Sequence, residues 1–201
     1  MAISSYRGLV TAPDPGKPLV FAFHGTGGDE QQFFALAQTL VPGAGIVAPR
    51  GDVSEFGAAR FFRRTAEGVY DMEDLARRTR AMAAYVEAHK TAQPDRAVYG
   101  FGYSNGANIL AAVMMARPDL FDRVGLLHPL IPWDLAPEPR LAGRRVLVTA
   151  GQRDPIAPWG TTAQLIDWIG AQGAHVTTEI HGGGHELQPS EIDALARLLV
   201  A

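Results

Sequence analysis

Residues 19–23, Leu-Val-Phe-Ala-Phe, form an unbroken apolar run. A run of that length without alternation suits a strand buried on both faces of a parallel sheet. Residues 45–49 make a second short run. The segment from Ala97 starts β-branched and aromatic, and residues 124–127, 144–151 and 175–180 read as further strands. Residues 3–10 suit a short edge strand. Between the runs, apolar residues recur at helical spacing. Residues 31–40 gather Phe33, Phe34, Leu36, Ala37 and Leu40 on one side before Pro42 and Gly43 end the helix. Asp71 and Asp74 open a long helix reaching about Thr91, where acidic residues suit the positive end of the dipole. Its apolar face carries Met72, Leu75, Met82, Tyr85 and Val86. Residues 107–115 and 161–170 and the segment from Pro189 complete the helices. The last turns Ile192, Leu195, Leu198 and Leu199 inward. Residues 50–70 read as a long loop, and residues 128–143 as a proline-rich one.

Strand and helix alternate at least five times, which predicts an α/β fold with a mostly parallel sheet and helices on both faces. Three predicted strands end in chemically loaded loops: residues 24–30, 102–106 and 151–160. Ligands in such sheets bind outside the carboxyl ends of the strands. At 201 residues the chain is expected to be one domain, residues 1–201, burying roughly 70% of its unfolded surface. There is no internal repeat and no linker to divide it. A net charge of −3 points away from nucleic acid and anionic membranes, and the cluster Arg60, Arg63 and Arg64 is too small to reverse that. The absence of cysteine removes thiol nucleophiles and thiolate metal sites. With no secretory signal and no apolar run long enough for a membrane span, a cytoplasmic protein is expected.

Gly102-Tyr103-Ser104-Asn105-Gly106 is a G-x-S-x-G pattern between a predicted strand and a predicted helix. That context reads as a nucleophile elbow, with Ser104 at the tip of a strained turn. The nucleophile needs a base. Of six histidines, His89 lies late in a helix and suits a solvated role. His175 begins a strand and suits a structural one, and His128 follows a strand as a weak candidate. His181 and His185 bracket Gly182-Gly183-Gly184. His185 is preferred because it lies in the loop beyond the strand, with His181 as the alternative. The base needs a carboxylate to hold its tautomer. Asp154 follows a strand within Gly151-Gln152-Arg153-Asp154 and is preferred, with Asp134 as the fallback over Asp167 and Glu186. The oxyanion of acyl transfer needs backbone donors. The N–H of Asn105 and, from His24-Gly25-Thr26-Gly27-Gly28, the N–H of Thr26 are the choices. That glycine loop does not match a phosphate-binding pattern.

Four segments now carry a resemblance: His24-Gly25-Thr26-Gly27-Gly28-Asp29-Glu30, Gly102 to Asn108, Gly151 to Asp154, and Gly182-Gly183-Gly184-His185. Together they resemble the small α/β-hydrolase carboxylesterases, the group that includes phospholipase/carboxylesterase and acyl-protein thioesterase proteins. Phe61-Phe62-Arg63-Arg64 followed by Gly68-Val69-Tyr70-Asp71 is similar to a bacterial branch, some of whose members are associated with resistance to quinones and aromatic compounds. The resemblance implies an α/β-hydrolase fold, Ser104 as nucleophile, His185 as base, Asp154 as its orienting acid, and Thr26 and Asn105 as oxyanion donors, with no cofactor and no metal. Acyl-protein thioesterases usually carry an apolar residue at the position of Thr26 and Gln at that of Asn105, so the acyl pocket is expected to differ. Dienelactone hydrolases use a cysteine that this chain lacks. Larger hydrolases insert a lid after the strand that here ends near Leu127, and residues 128–143 leave no room for a large one.

The expected activity is metal-independent hydrolysis of small carboxylic esters or thioesters through a Ser104 acyl-enzyme. The alternatives are a lyase or C–C hydrolase on the same residues, or a ligand-binding protein whose serine is idle. Covalent labelling by a fluorophosphonate that depends on Ser104 separates the last from the others. Phe61, Phe62, Arg63, Ile156 and Trp159, with Arg64, Leu130, Ile131 and Trp133, are candidates for a shallow apolar substrate pocket. Ordinary packing remains open for each aromatic. A structural ion pair is preferred over recognition of an acidic substrate for Arg63 and Arg64.

Overall fold

A computed structural model describes residues 5–200. Its main sheet has seven strands: β1 (Gly8–Val10), β2 (Leu19–Phe23), β3 (Gly45–Pro49), β8 (Val98–Tyr103), β9 (Arg123–Leu127), β10 (Arg145–Gly151) and β11 (His175–His181). Their order in space is β1-β3-β2-β8-β9-β10-β11. β1 pairs antiparallel with β3, and every other pairing is parallel. The predicted strand at residues 3–10 therefore begins at Gly8 among the described residues, and residues 3 and 4 lie outside them. The helices are α1 (Phe34–Leu40), α2 (Met72–Ala92), α3 (Asn105–Ala116), α4 (Trp159–Ala171) and α5 (Pro189–Val200).

Strand residues alternate between the two faces, and the core divides accordingly. Phe21, Phe23, Val98, Val124, Val146 and Val148 pack toward α2, α3 and α4. Val20, Ala22, Ile46, Ala48, Leu127 and Leu147 pack toward α1 and α5. This is the α/β-hydrolase arrangement expected above, and residues 128–144 between β9 and β10 add only a short 3-10 turn, Pro139–Leu141, with no large lid. Among the described residues no helix is long and apolar enough to cross a membrane.

Three local expectations change. Residues 50–70 are not structureless. They form two hairpins, β4 (Val53–Glu55) with β5 (Ala58–Arg60) and β6 (Arg64–Ala66) with β7 (Val69–Tyr70). The first turns on Phe56 and Gly57, with φ of 49° and 91°, as a two-residue hairpin turn that follows strand twist requires. Strands of two or three residues are too short to display a period. Helix α1 starts three residues late, at Phe34, because Phe33 has φ −118° and ψ 4°, outside the helical region. The Gln32 side chain before it accepts a hydrogen bond from the Gly25 N–H at 2.8 Å. His89 is buried rather than solvated, edge-on to Phe21 and Tyr85, because the last turn of α2 lies over the sheet.

The tightest approach in the fold is where β8 turns into α3. A Cβ on Gly106 would lie 2.4 Å from the carbonyl oxygens of both Phe23 and His24, so only glycine lets α3 start this close to β2. Gly106→Ala is expected to cost about 1–3 kcal/mol through overpacking, lowering Tm by roughly 2–12 °C for a domain of this size. Gly160→Ala, where nothing lies within 4 Å, should leave Tm unchanged in the same calorimetric comparison.

Candidate active site

In space the strand order reverses around β2: β3 lies on one side of it, and the chain then crosses to β8 on the other. Such a switch point opens a crevice at the carboxyl ends of the strands. The loop after β2 carries Thr26, and the turn after β8 carries Ser104. The register places Phe23 opposite Gly102 and Tyr103 opposite Leu127, so the two loops emerge side by side. Ser104 has φ 52° and ψ −117°, a strained conformation for a residue with a Cβ. Its N–H donates to the Leu127 carbonyl and its carbonyl accepts from the Asn108 N–H, each at 2.9 Å. The hydroxyl is left at the tip of the turn, at the amino end of α3, where the first N–H groups have no partner inside the helix.

His185 reaches this serine from the loop after β11. Its Nε2 lies 2.9 Å from Ser104 Oγ, and its Nδ1 lies 2.6 Å from Asp154 Oδ2. A carboxylate oxygen only accepts, so Nδ1 carries the hydrogen and Nε2 is free to accept from the serine hydroxyl. Asp154 Oδ1 accepts from the N–H groups of Ile156 at 2.8 Å and Ala157 at 2.9 Å. Burial opposes ionisation of Asp154, but these N–H groups and the two histidines that donate to it outweigh burial and hold its carboxyl below the usual range. The loop of His185 is pinned by the Tyr103 hydroxyl, which donates to the His185 carbonyl at 2.7 Å. It is also clamped against β10. The N–H groups of Gln152 and Arg153 donate to the carbonyls of His181 and Gly183, at 2.8 and 2.9 Å. A Cβ on Gly151 would lie 2.0 Å from the Gly184 oxygen.

In front of Ser104 lies a cavity of about 250 Å³, with Thr26, Asn105, Tyr70, Asn108, Leu130 and Ile156 among its walls. The structure thus brings Ser104, His185, Asp154, Thr26, Asn105 and Ile156 together. Leu130 and Arg64 also line the cavity as predicted, whereas Phe61, Phe62, Arg63, Trp159, Ile131 and Trp133 do not. Phe61 and Phe62, just past β5, are core side chains packed against Phe23 and Tyr70. Arg63 points outward, paired with Asp71 and Asp74. Trp159 opens α4 and does not line the cavity. Ile131 is core, and Trp133 lines a separate groove with Met72 and Trp168. Asp134, on that same groove, is exposed.

The sequence reading undervalued three contributors: Arg60, set aside as part of a small basic cluster, Arg64, preferred as a structural ion pair, and His128. Arg60 is 3% exposed. It faces the cavity, with Nη1 donating to Thr26 Oγ1 at 2.7 Å, so it anchors the loop beside the serine. Arg64 also lines the cavity, forked onto Glu55 at 2.8 and 3.0 Å and paired with Glu67. The third is His128, ranked weakly from the sequence. Its side chain is fully buried, with Nδ1 2.9 Å from Asp154 Oδ2 and Nε2 2.9 Å from Glu191 Oε1. Burial works against its charge, yet Glu191 and Asp154 outweigh it and raise the imidazole above its ordinary range. The signal for His128 was its place one residue past a strand end, level with the other loaded loops. Glu191 carried no such signal. His128, His181 and Glu191, and separately His128, Asp154 and His185, have the composition of a cation site, with donor atoms within 4.8 Å of one another. In both groups the nitrogens already face carboxylate oxygens at 2.6–3.2 Å.

No protein-family model matches the chain. A Bacillus subtilis protein named as a hydrolase, MhqD, is 36% identical over 177 residues, covering 87% of this chain and 88% of the relative. Among solved structures, the Agrobacterium tumefaciens protein Atu2452, of unknown function, is 50% identical with a TM-score of 0.92, covering 99% of this chain and 98% of its own. A Bacillus cereus carboxylesterase is 32% identical with a TM-score of 0.89, covering 96% of this chain and 93% of its own.

The buried carboxylates make the site acid-sensitive. For Glu191 as for Asp154, burial opposes ionisation but its partners prevail, and its carboxyl is held low. A lowered carboxyl adds stability above its unfolded pKa and loses it as pH falls through the folded value. Tm should therefore drop below about pH 4, and Glu191→Gln should flatten that drop in melting curves recorded from pH 7 to pH 3.

Proposed function

Because the chain belongs to the small α/β-hydrolase carboxylesterase family and is an esterase-type hydrolase, we propose that it cleaves small carboxylic esters or thioesters through an acyl-enzyme on Ser104. The observation that carries this reading is the continuous contact chain from Ser104 Oγ through His185 to Asp154 at the mouth of one cavity. Ser104 Oγ attacks the substrate carbonyl while His185 Nε2 takes its proton. The carbonyl oxygen becomes an oxyanion and accepts from the N–H groups of Thr26 and Asn105. When the tetrahedral adduct collapses, the bond to the alcohol or thiol breaks and His185 returns the proton to that leaving group. Water, deprotonated by His185, then attacks the acyl-enzyme and frees the acid and Ser104. Asp154 stays ionised throughout and stabilises the imidazolium. One domain, residues 1–201, carries the reaction without a metal.

The cavity's size and its polar walls, Arg60, Arg64, Glu67, Tyr70 and Asn108, favour short and polar acyl groups. Hydrolysis of p-nitrophenyl esters should fall from acetate to octanoate. Ser104→Ala should abolish it, with kcat lower by up to about 10⁶-fold. Octanoate preferred over acetate would reverse the size argument, and turnover surviving in Ser104→Ala would remove the nucleophile. Asp154→Asn should lose about 10⁴-fold in kcat, while Asp134→Asn should match wild type. EDTA should leave the rate unchanged.

A further inference from the structure

We infer that His128 and Glu191 form a positioning pair behind Asp154, extending the chain Ser104–His185–Asp154 by a second buried imidazole and carboxylate. This rests on the reading of Ser104 as nucleophile. Asp154 Oδ2 is shared by two ring nitrogens, His185 Nδ1 at 2.6 Å and His128 Nδ1 at 2.9 Å, and both must carry hydrogen because the oxygen only accepts. The other nitrogen of His128 lies 2.9 Å from Glu191 Oε1, an ion-pair contact rather than an aligned hydrogen bond. That contact is attractive only if the imidazole is protonated and the carboxylate is not. His128 is therefore the cation that lets two fully buried carboxylates lie on either side of it. Without that cation each carboxylate would be a buried charge short of a partner.

The pair is itself held in place. Glu191 sits in the first turn of α5, where its Oε2 accepts from the Gln188 N–H at 2.6 Å, one half of a capping box. Oε2 also lies 3.2 Å from His181 Nε2. His181 Nδ1 accepts from the Gly183 N–H at 3.0 Å, so Nε2 carries the ring hydrogen. The contacts thus run back into the loop that presents His185. The backbone of His128 has φ 50°, a left-handed conformation that a side chain opposes and that persists only where its surroundings impose it. When His185 becomes imidazolium, its charge pulls on Asp154 Oδ2. His128 fixes that same oxygen and keeps the carboxylate ionised, so the counter-charge stays in line with His185. The His128 ring also borders the cavity and packs edge-on to that of His185, with centroids 5.2 Å apart, so the pair acts by positioning Asp154 and His185.

The test compares kcat and KM for wild type, His128→Asn, His128→Leu and the double variant His128→Leu with Glu191→Leu, using p-nitrophenyl acetate and the full chain. The Asn amide nitrogen can take the place of Nδ1 and donate to Asp154. The double variant removes the buried charge that His128→Leu alone would strand, so it keeps the test open if the single variant does not fold. The expected result is a kcat about 10–100-fold lower in the folded Leu variants, as when a group orienting a functional imidazole from outside is removed. KM should hardly change, and His128→Asn should recover most of the lost kcat. A folded Leu variant with kcat within about twofold of wild type, a loss expressed only in KM, or an Asn variant no better than Leu would overturn the inference. So would one equivalent of transition metal bound to the purified protein and lost in the double variant, since His128 and Glu191 would then be metal ligands. Ser104→Ala separates the two levels. If it is inactive while the His128 variants are unaffected, only the positioning pair falls. If it retains turnover, both readings fall.

Discussion

One buried carboxylate draws the loops of this protein together. Asp154 accepts from two backbone N–H groups on one oxygen and two imidazoles on the other. Those partners come from its own turn after β10, from the end of β9 and from the loop after β11. Each donor offsets part of the cost of burying a negative charge. Removing any one leaves the others holding a less satisfied ion. The conformation of three chain segments is therefore tied to the protonation of a single side chain, and through His185 to the serine on a fourth.

The sheet makes that convergence possible. Parallel pairing in register brings β2, β8, β9, β10 and β11 to a common edge, and the reversal of strand order around β2 opens space there. Two close backbone approaches then set the distances: Gly106 under the end of β2, and Gly151 against Gly184. These contacts involve main chain on both sides, so they are stiff. The serine and histidine are held by the scaffold rather than by flexible loops, which is the condition for preorganised chemistry.

The outer wall is built separately. The two hairpins between β3 and α2 place Arg60, Arg64 and Tyr70 over the cavity, cross-linked by Glu55, Thr26 and Asn108. Arg60 and Arg64 are balanced by Glu55 and Glu67 within the same wall, so the pocket is polar without a large excess of one charge. Here Thr26 does two things: its hydroxyl is held by Arg60, and its backbone lies beside the serine. A side-chain hydroxyl at this position gives the loop an anchor that an apolar residue would not.

By itself, the sequence determined what depends on neighbours along the chain. Continuous apolar runs marked the buried strands, helical spacing marked α2 through α5, and a serine between two glycines at a strand-to-helix junction marked the elbow. Asp154 and His185 were legible because each lies in a glycine-containing loop just past a strand. What it could not determine were contacts between residues far apart in the chain. The two- and three-residue strands of the hairpins are too short to carry a period. Phe61, Phe62 and Arg63 differ in orientation because the irregular segment between the hairpins buries two of them and leaves the third exposed. The pairing of His128 with Glu191, 63 positions later, exists because β9 and α5 meet behind Asp154. A histidine past a strand and a glutamate in the first turn of a helix are ordinary in isolation. Burial beside one carboxylate, which only the tertiary structure imposes, is what brings them into ion-pair contact.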